Sequence, residues 1–200
     1  PTVSQWGLVV MALLLLTASA GAETSWPDLS KPIMEAGGGE KDAAVVVGID
    51  RYAYVPAVPG AARNAEDWYG YLTKGLKVPV ERVTLLRDNA GTLEKMRKYG
   101  AKAAKEVEPG GTLWFVFVGH GAPDKEGKDG LLVGADVQQD ADSLSARSLA
   151  RQELLKTLSQ GKQGKTVVLL DACFSGRTPS GAPIIAGLQP LVSVGGLSGA

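Results

Sequence analysis

Between residues 43 and 170, short apolar runs alternate with segments in which apolar residues recur at helical spacing. The apolar runs predict four core strands, at 43–49, 82–87, 113–118 and 166–170, and a shorter strand at 131–133. The core runs are apolar at successive positions instead of alternating. This is the pattern of strands that are buried on both faces of a parallel sheet.

Three segments between the strands have the periodicity of amphipathic helices. The first spans 62–72, the second spans 93–107 and is stopped by Pro109 and Gly110, and the third has Ser148 as its N-cap and ends near Gly161. Right-handed crossovers between parallel strands place such helices on both faces of the sheet. The sequence therefore predicts an α/β fold, a three-layer α/β/α sandwich with a mostly parallel sheet.

The chain begins with a segment that has the composition of a targeting signal. An apolar run at 8–16 is followed at 17–22 by small residues that offer cleavage sites of the A-x-A type. We predict a signal peptide at 1–22 and hence an exported, periplasmic or extracellular protein with no membrane insertion after cleavage. An uncleaved N-terminal membrane anchor is the alternative, because the uncharged stretch approaches the length that spans a bilayer. Residues 23–42 are predicted to be a linker, and residues 43–200 a single domain whose C-terminal part is incomplete.

The charge balance and the rarity of two residue types narrow the possible functions. The 21 basic and 21 acidic side chains cancel, so no overall field attracts nucleic acid or an anionic membrane. The chain has one cysteine, Cys173, and one histidine, His120. This excludes an intrachain disulfide and argues against a zinc site built from cysteine and histidine ligands. We predict no metal site and no required cofactor.

The two unique residues each follow a predicted core strand. His120 stands between two glycines after strand 113–118, and Cys173 follows strand 166–170. If those strands are neighbours in a parallel sheet, the imidazole and the thiol face each other at its carboxyl edge. A thiolate attacks acyl carbons, and an adjacent imidazole accepts and returns the proton. The backbone N–H groups of Gly121 and Cys173 can donate to the oxyanion that forms, whereas spacing alone identifies no carboxylate for a triad.

The segment 43–176 contains six short motifs. They are VVVGIDRY at 45–52, V-P-G at 58–60, V-x-L-L-x-D at 83–88, G-H-G at 119–121, D-G-L-L at 129–132 and D-A-C-F-S-G at 171–176. By these motifs the segment 43–176 resembles the caspase-like cysteine peptidases of clan CD, closest in style to the bacterial metacaspase-like proteins. His120 and Cys173 are 53 residues apart, near the separation of about 50 that is typical of caspases. Asp171 stands where caspases have glutamine, which is similar to the metacaspase pattern.

The resemblance implies a caspase-like fold, truncated here in its C-terminal part, and a cysteine endopeptidase with a protein or peptide substrate. His120 would be the general base and acid and Cys173 the nucleophile, with Gly121 and Cys173 as the oxyanion hole. Asp171 resembles the acidic wall of the S1 pocket, which in metacaspases selects Arg or Lys at P1 by charge-assisted pairing. Calcium activates many metacaspases, but the sequence has no compact carboxylate cluster that identifies a site.

One S1 position departs from the family pattern and keeps a second interpretation open. The family has an N-D-A motif at the start of the first helix, where this chain has Arg63, Asn64 and Ala65. An S1 pocket with Asp171 and Asn64 is expected to prefer a cation less steeply. The alternative is a caspase-like module that no longer cleaves and serves in binding or scaffolding. A nucleotide-binding Rossmann protein is disfavoured, because no G-x-G-x-x-G follows the first strand.

Overall fold

The computed structural model describes residues 28, 29, 31, 33–177, 181 and 183–185. The predicted signal peptide at 1–22 lies outside these residues. Among them, the strands and α-helices follow the order β1 (Ala43–Gly48), α1 (Ala61–Gly70), β2 (Val83–Arg87), α2 (Leu93–Glu106), β3 (Thr112–Val118), β4 (Gly121–Pro123), β5 (Gly130–Val133), α3 (Ala141–Arg147), β6 (Ser148–Ala150), α4 (Arg151–Leu158) and β7 (Lys165–Asp171). None of the helices in this described part is long and apolar enough to cross a membrane.

Four strands form the central sheet in the order β2-β1-β3-β7, and all three of its pairings are parallel. The four predicted core strands are these four, each within one residue of its predicted ends. The strand predicted at 131–133 is β5, which pairs antiparallel with β4 and β6 in a separate small sheet. The prediction of an α/β sandwich with a mostly parallel sheet is confirmed.

Helices pack on both faces of the central sheet and give it three layers. On β1, Ala44 and Val46 point to the face covered by α1, whose Ala61 and Ala65 share the same apolar cluster. Val45 and Val47 point to the opposite face, where α2 and α4 bury side chains such as those of Met96 and Leu154. Because β1 is central, every one of its residues is buried, as its continuous β-branched run predicts.

The edge strand β7 is less covered than its sequence suggests. It pairs with β3 on one side, and among the described residues no strand pairs with its other side. Val168, Leu169 and Leu170 are accordingly only half-buried, although the run TVVLL has the composition of a central strand.

The third predicted helix is wrong at its beginning. Ser148 is not an N-cap but the first residue of β6, where it pairs with Val133, and its hydroxyl has no hydrogen-bond partner among the described residues. α4 begins three residues later at Arg151, and its first turn is held instead by Asp129, whose carboxylate accepts from the Gln152 N–H at 3.0 Å. A residue 23 positions earlier in the chain thus does the capping, which a local sequence pattern does not reveal.

Part of the segment 23–42, predicted to be a linker, is bonded to the domain. The N–H groups of Ala36 and Gly37 donate to the Gly75 carbonyl, at the end of a π-helical turn that extends α1. Asp42 is buried, and its carboxylate accepts from the Thr112 N–H at 2.6 Å and from the Trp114 indole N–H at 2.8 Å. These two hydrogen bonds connect the residue before β1 to the first residues of β3.

Candidate functional site

The pairing of β3 with β7 brings the histidine loop and the cysteine loop together. The last paired positions are Val118 and Asp171, and His120 and Cys173 each follow two residues later. The first residue after β3 is also hydrogen-bonded to β7: the Gly119 N–H donates to the Asp171 carbonyl at 3.2 Å. The two strands are therefore neighbours, and the two loops leave the same edge of the sheet side by side.

Beyond the strands, the loops touch at Gly121. A Cβ atom at this position would lie 3.0 Å from Cδ1 of Phe174, 3.2 Å from Cβ of Ala172 and 3.2 Å from the carbonyl carbon of Cys173. Such distances are tighter than nearly all real Cβ contacts, so the absence of a side chain allows this approach. The Phe174 ring lies even closer to Gly130 on β5, where a Cβ atom would be 2.7 Å from its Cδ1. Phe174 thus packs the cysteine loop against β4 and β5.

A hydrogen bond fixes the ring of His120 and its tautomer. Nε2 lies 2.7 Å from the carbonyl oxygen of Pro56, and because a carbonyl only accepts, Nε2 carries the proton. Nδ1 is then the basic nitrogen of the neutral ring, and among the described residues it has no hydrogen-bond partner. Burial lowers the pKa of His120, and the bond to Pro56 offsets that effect only in part. The ring is therefore neutral at pH 7 and able to accept a proton.

Tyr52 and Val133 hold the backbone of His120. The His120 N–H donates to the Tyr52 hydroxyl at 2.8 Å, and the His120 carbonyl accepts from the Val133 N–H at 3.0 Å. The two rings also pack together, with centroids 4.9 Å apart. Tyr52 is buried, which raises the pKa of its hydroxyl far above the usual value. The phenol is thus a permanent neutral partner for the histidine.

The loop after β1 supplies both Tyr52 and Pro56, and hydrogen bonds fix its shape. The Asp50 carbonyl accepts from the Val58 N–H at 2.8 Å, and an Asp50 carboxylate oxygen accepts from the Gly60 N–H at 3.0 Å. The sequence indicates Tyr52 only as part of a motif and gives no sign that Pro56 belongs to the site. The signal for Tyr52 was its place in VVVGIDRY; Pro56 acts through a backbone carbonyl, which no residue pattern encodes.

The thiol of Cys173 is exposed and interacts with a neighbouring hydroxyl. Its Sγ lies 3.0 Å from Oγ of Ser175, and the pKa of Cys173 is lowered by this bond first and by the Ser175 backbone second, with burial opposing both. No hydrogen bond joins Sγ to the His120 ring. The backbone N–H of Cys173 donates to no acceptor among the described residues, and Gly121, the first residue of β4, lies opposite Leu132 of β5.

The two residues predicted for S1 lie on facing elements. Asp171 ends β7 with an exposed side chain and lines a hollow of about 240 Å³ together with Trp68 of α1. Asn64 lies one turn before Trp68 on α1 and is half-buried, without a side-chain hydrogen bond among the described residues. Arg63, beside it, is ion-paired with Asp67 at 3.5 Å. No hydrogen bond joins the side chains of Asn64 and Asp171.

No group of three or more histidine, cysteine or carboxylate side chains within the described ranges is arranged to hold a metal ion. Two other acidic residues, Asp88 after β2 and Asp129 before β5, accept hydrogen bonds from backbone N–H groups instead. An Asp88 carboxylate oxygen accepts from the N–H groups of Asp50 and Arg51, at 3.1 and 2.9 Å. Asp129 accepts from the Gly130 and Gln152 N–H groups, at 2.8 and 3.0 Å.

Comparisons with known proteins give information on the fold but not on the chemistry of the site. No protein-family model and no curated protein matches the chain. Among solved structures, the chain is similar to protein GSU0716 from Geobacter sulfurreducens, with 21% sequence identity and a TM-score of 0.52. The alignment covers 66% of this chain and 50% of that protein, so this chain spans about half its length. At this identity the similarity shows the α/β fold alone.

Proposed function

We propose that the protein is a cysteine endopeptidase in which Cys173 is the nucleophile and His120 the general base. The observation that carries this proposal is the register of β3 and β7, which brings the loops of the chain's only imidazole and only thiol into contact at one sheet edge. A neutral imidazole with a free basic nitrogen and an exposed thiol with a lowered pKa are the two groups that acyl transfer requires.

The reaction follows from these two groups. Nδ1 of His120 accepts the Cys173 proton as Sγ attacks the carbonyl carbon of the scissile bond, and a tetrahedral oxyanion forms. The oxyanion accepts hydrogen bonds from backbone N–H groups, for which the unpaired Cys173 N–H is available beside that of Gly121. The imidazolium gives its proton to the leaving amine, and the C–N bond breaks. Water then hydrolyses the thioester, and its proton restores the thiol.

We propose further that the peptidase prefers Arg or Lys at P1. The support is Asp171, an exposed carboxylate two residues before the nucleophile that lines a hollow beside α1. A carboxylate pairs with a cationic side chain by charge-assisted hydrogen bonds, strongest with the fork of arginine. Asn64 adds an amide rather than a second charge, so the preference over neutral side chains is moderate.

The test uses the full chain and fluorogenic peptides that differ only at P1, with Arg, Lys, Gln or Asp. We expect Arg and Lys peptides to be cleaved, Cys173→Ala to abolish cleavage, and His120→Gln to lower kcat/KM by about 10²- to 10⁴-fold. Asp171→Asn should lower kcat/KM for Arg and Lys peptides while sparing the Gln peptide, and Asp142→Asn, on the exposed face of α3, serves as its control. Cleavage that survives Cys173→Ala in a folded protein contradicts the proposal.

One observation favours the alternative of a module that binds without cleaving: the thiol is bonded to Ser175 and not to the imidazole. A peptide that carries a thiol-directed electrophile separates the two functions. A peptidase is labelled at Cys173 much faster than a small thiol of the same pKa, because the site orients the peptide. A binding module is labelled at the rate of the ordinary thiol.

A further inference from the structure

The turn that follows the cysteine folds a hydroxyl back onto the sulfur. Oγ of Ser175 lies 3.0 Å from Sγ of Cys173, and the two residues are separated by Phe174, whose ring is packed against Gly121 and Gly130. The turn is closed by Gly176, which has a φ of 70° and accepts from the Ile184 N–H at 2.9 Å. Anchored on both sides, the turn holds Ser175 next to the thiol.

The imidazole does not perform this role in the resting site. Its Nε2 proton is committed to the Pro56 carbonyl, and its ring makes no hydrogen bond to Sγ. Burial lowers the pKa of the ring, which disfavours an imidazolium partner for the thiolate before substrate binds. The charged residues on either side of the turn are not partners either: Asp171 is exposed, and Arg177 donates to the Gly181 carbonyl at 2.9 Å.

We propose that the Ser175 hydroxyl is the group that stabilises the Cys173 thiolate before substrate binds, and that it thereby sets the reactivity of the nucleophile. The inference rests on the proposed function in taking Cys173 as the nucleophile. A hydroxyl that donates to sulfur favours the charged form, and its removal leaves the Ser175 backbone as the hydrogen-bond partner of the thiolate within the described part of the chain. This hydrogen bond agrees with the lowered pKa of Cys173, of which the Ser175 side chain is the largest cause.

The experiment follows alkylation of the full chain by iodoacetamide between pH 5 and 10, read by intact mass. Cys173 is the only cysteine, so the label reports on one site. The variants are Ser175→Ala, which removes the hydroxyl, and Ser175→Thr, which keeps it. Circular dichroism checks that both are folded, and Cys173→Ala gives the background.

We expect Ser175→Ala to raise the midpoint of the pH profile by about 0.5 to 1 and to lower alkylation several-fold at pH 7. At pH values above the midpoint the same variant should react as fast or faster, because a more basic thiolate is the better nucleophile. Ser175→Thr, which retains the hydroxyl, should keep the midpoint of the unaltered protein. A variant that merely distorts the site slows alkylation at every pH, and this result or an unchanged midpoint in Ser175→Ala overturns the inference.

Peptide cleavage measured on the same samples separates this inference from the proposed function. A raised midpoint in Ser175→Ala supports the role of the hydroxyl even if no peptide is cleaved, in which case the peptidase assignment alone fails. Cleavage of Arg peptides together with an unchanged midpoint supports the peptidase and overturns the role of Ser175.

Discussion

His120 donates its Nε2 proton to the carbonyl oxygen of Pro56 across 2.7 Å, which leaves Nδ1 as the only basic nitrogen of the ring. Pro56 belongs to the loop after β1, and Cys173 belongs to the loop after β7. The histidine thus sits between an element that fixes its tautomer and an element that carries the thiol. The geometry of the loop after β1 is therefore a condition for the proposed proton transfer from Cys173 to His120.

The first prediction concerns the other bond from that loop. Tyr52→Phe keeps the ring but removes the acceptor of the His120 N–H. Because a buried donor is then left unpaired, we expect the free energy of unfolding in urea to fall by about 1–3 kcal/mol and peptide cleavage to fall with it. Tyr99→Phe is the matched control, since the Tyr99 hydroxyl has no hydrogen bond among the described residues. Equal stability losses in the two variants would contradict the role of Tyr52.

The second prediction is the pH dependence of cleavage. His120 must be neutral to accept the thiol proton, and burial lowers its pKa below 6.5. Since a lowered pKa keeps the ring neutral down to more acidic conditions, kcat/KM should rise with pH and reach half its plateau below pH 6.5. If kcat/KM instead reaches half its plateau at or above pH 6.5, and this pH is unchanged in Ser175→Ala, then burial does not lower the pKa of the group that accepts the proton.

The third prediction tests the contact between the two loops. Gly121→Ala would bring a Cβ within 3.0 Å of Phe174 and 3.2 Å of Cys173, so the cysteine loop must shift. We expect a stability loss of about 1–3 kcal/mol and a changed alkylation profile of Cys173. Gly100→Ala in α2 is the control, because nothing lies within 4 Å of its Cβ position, and a gain of about 0.5–1 kcal/mol is expected there. An unaltered Cys173 profile in Gly121→Ala would mean that the contact does not position the thiol.

These cases indicate which features the sequence makes predictable. The burial of β1 can be predicted from its sequence, because a strand that is buried on both faces has apolar residues at successive positions. The adjacency of the two loops that carry His120 and Cys173 is predictable because parallel strands share a carboxyl edge, given only that β3 and β7 are neighbours. The role of the Pro56 carbonyl cannot be predicted from the sequence, because every residue has a carbonyl group. Which carbonyl meets the His120 ring depends on how Asp50 holds the loop after β1. Ser148 was misassigned because the competing cap, Asp129, is distant in the chain.

The fourth prediction tests that distant cap. Asp129 is buried and accepts from the N–H groups of Gly130 and Gln152 and from the Arg151 side chain. Asp129→Ala leaves these donors unpaired at the start of α4, so we expect a loss of about 1–2 kcal/mol in urea unfolding. Glu126→Ala in the same hairpin is the control, because Glu126 makes only an exposed ion pair with Lys128. If Asp129→Ala unfolds at the same urea concentration as the control, the carboxylate does not support α4.

The last prediction links the loop after β1 to acid stability. Burial raises the pKa of Asp88, but hydrogen bonds from Arg51 and Asp50 outweigh it, and the net pKa is lowered. A carboxyl whose pKa is lowered in the folded state stabilises the fold above its unfolded pKa of about 3.9, and this contribution disappears as the pH falls through the folded value.

The variant Asp88→Asn tests this contribution. It retains an acceptor and tolerates the φ of 46° at this position, but it loses the charge. We therefore expect it to be less stable than the unaltered protein by about 1 kcal/mol at pH 7, and we expect this difference to shrink as the pH falls below about 3.9. Asp67→Asn, which removes only a partly exposed ion pair with Arg63, should show a smaller difference at pH 7. A stability gap for Asp88→Asn that persists unchanged to pH 3 would mean that the charge of Asp88 does not hold the Asp50–Arg51 backbone.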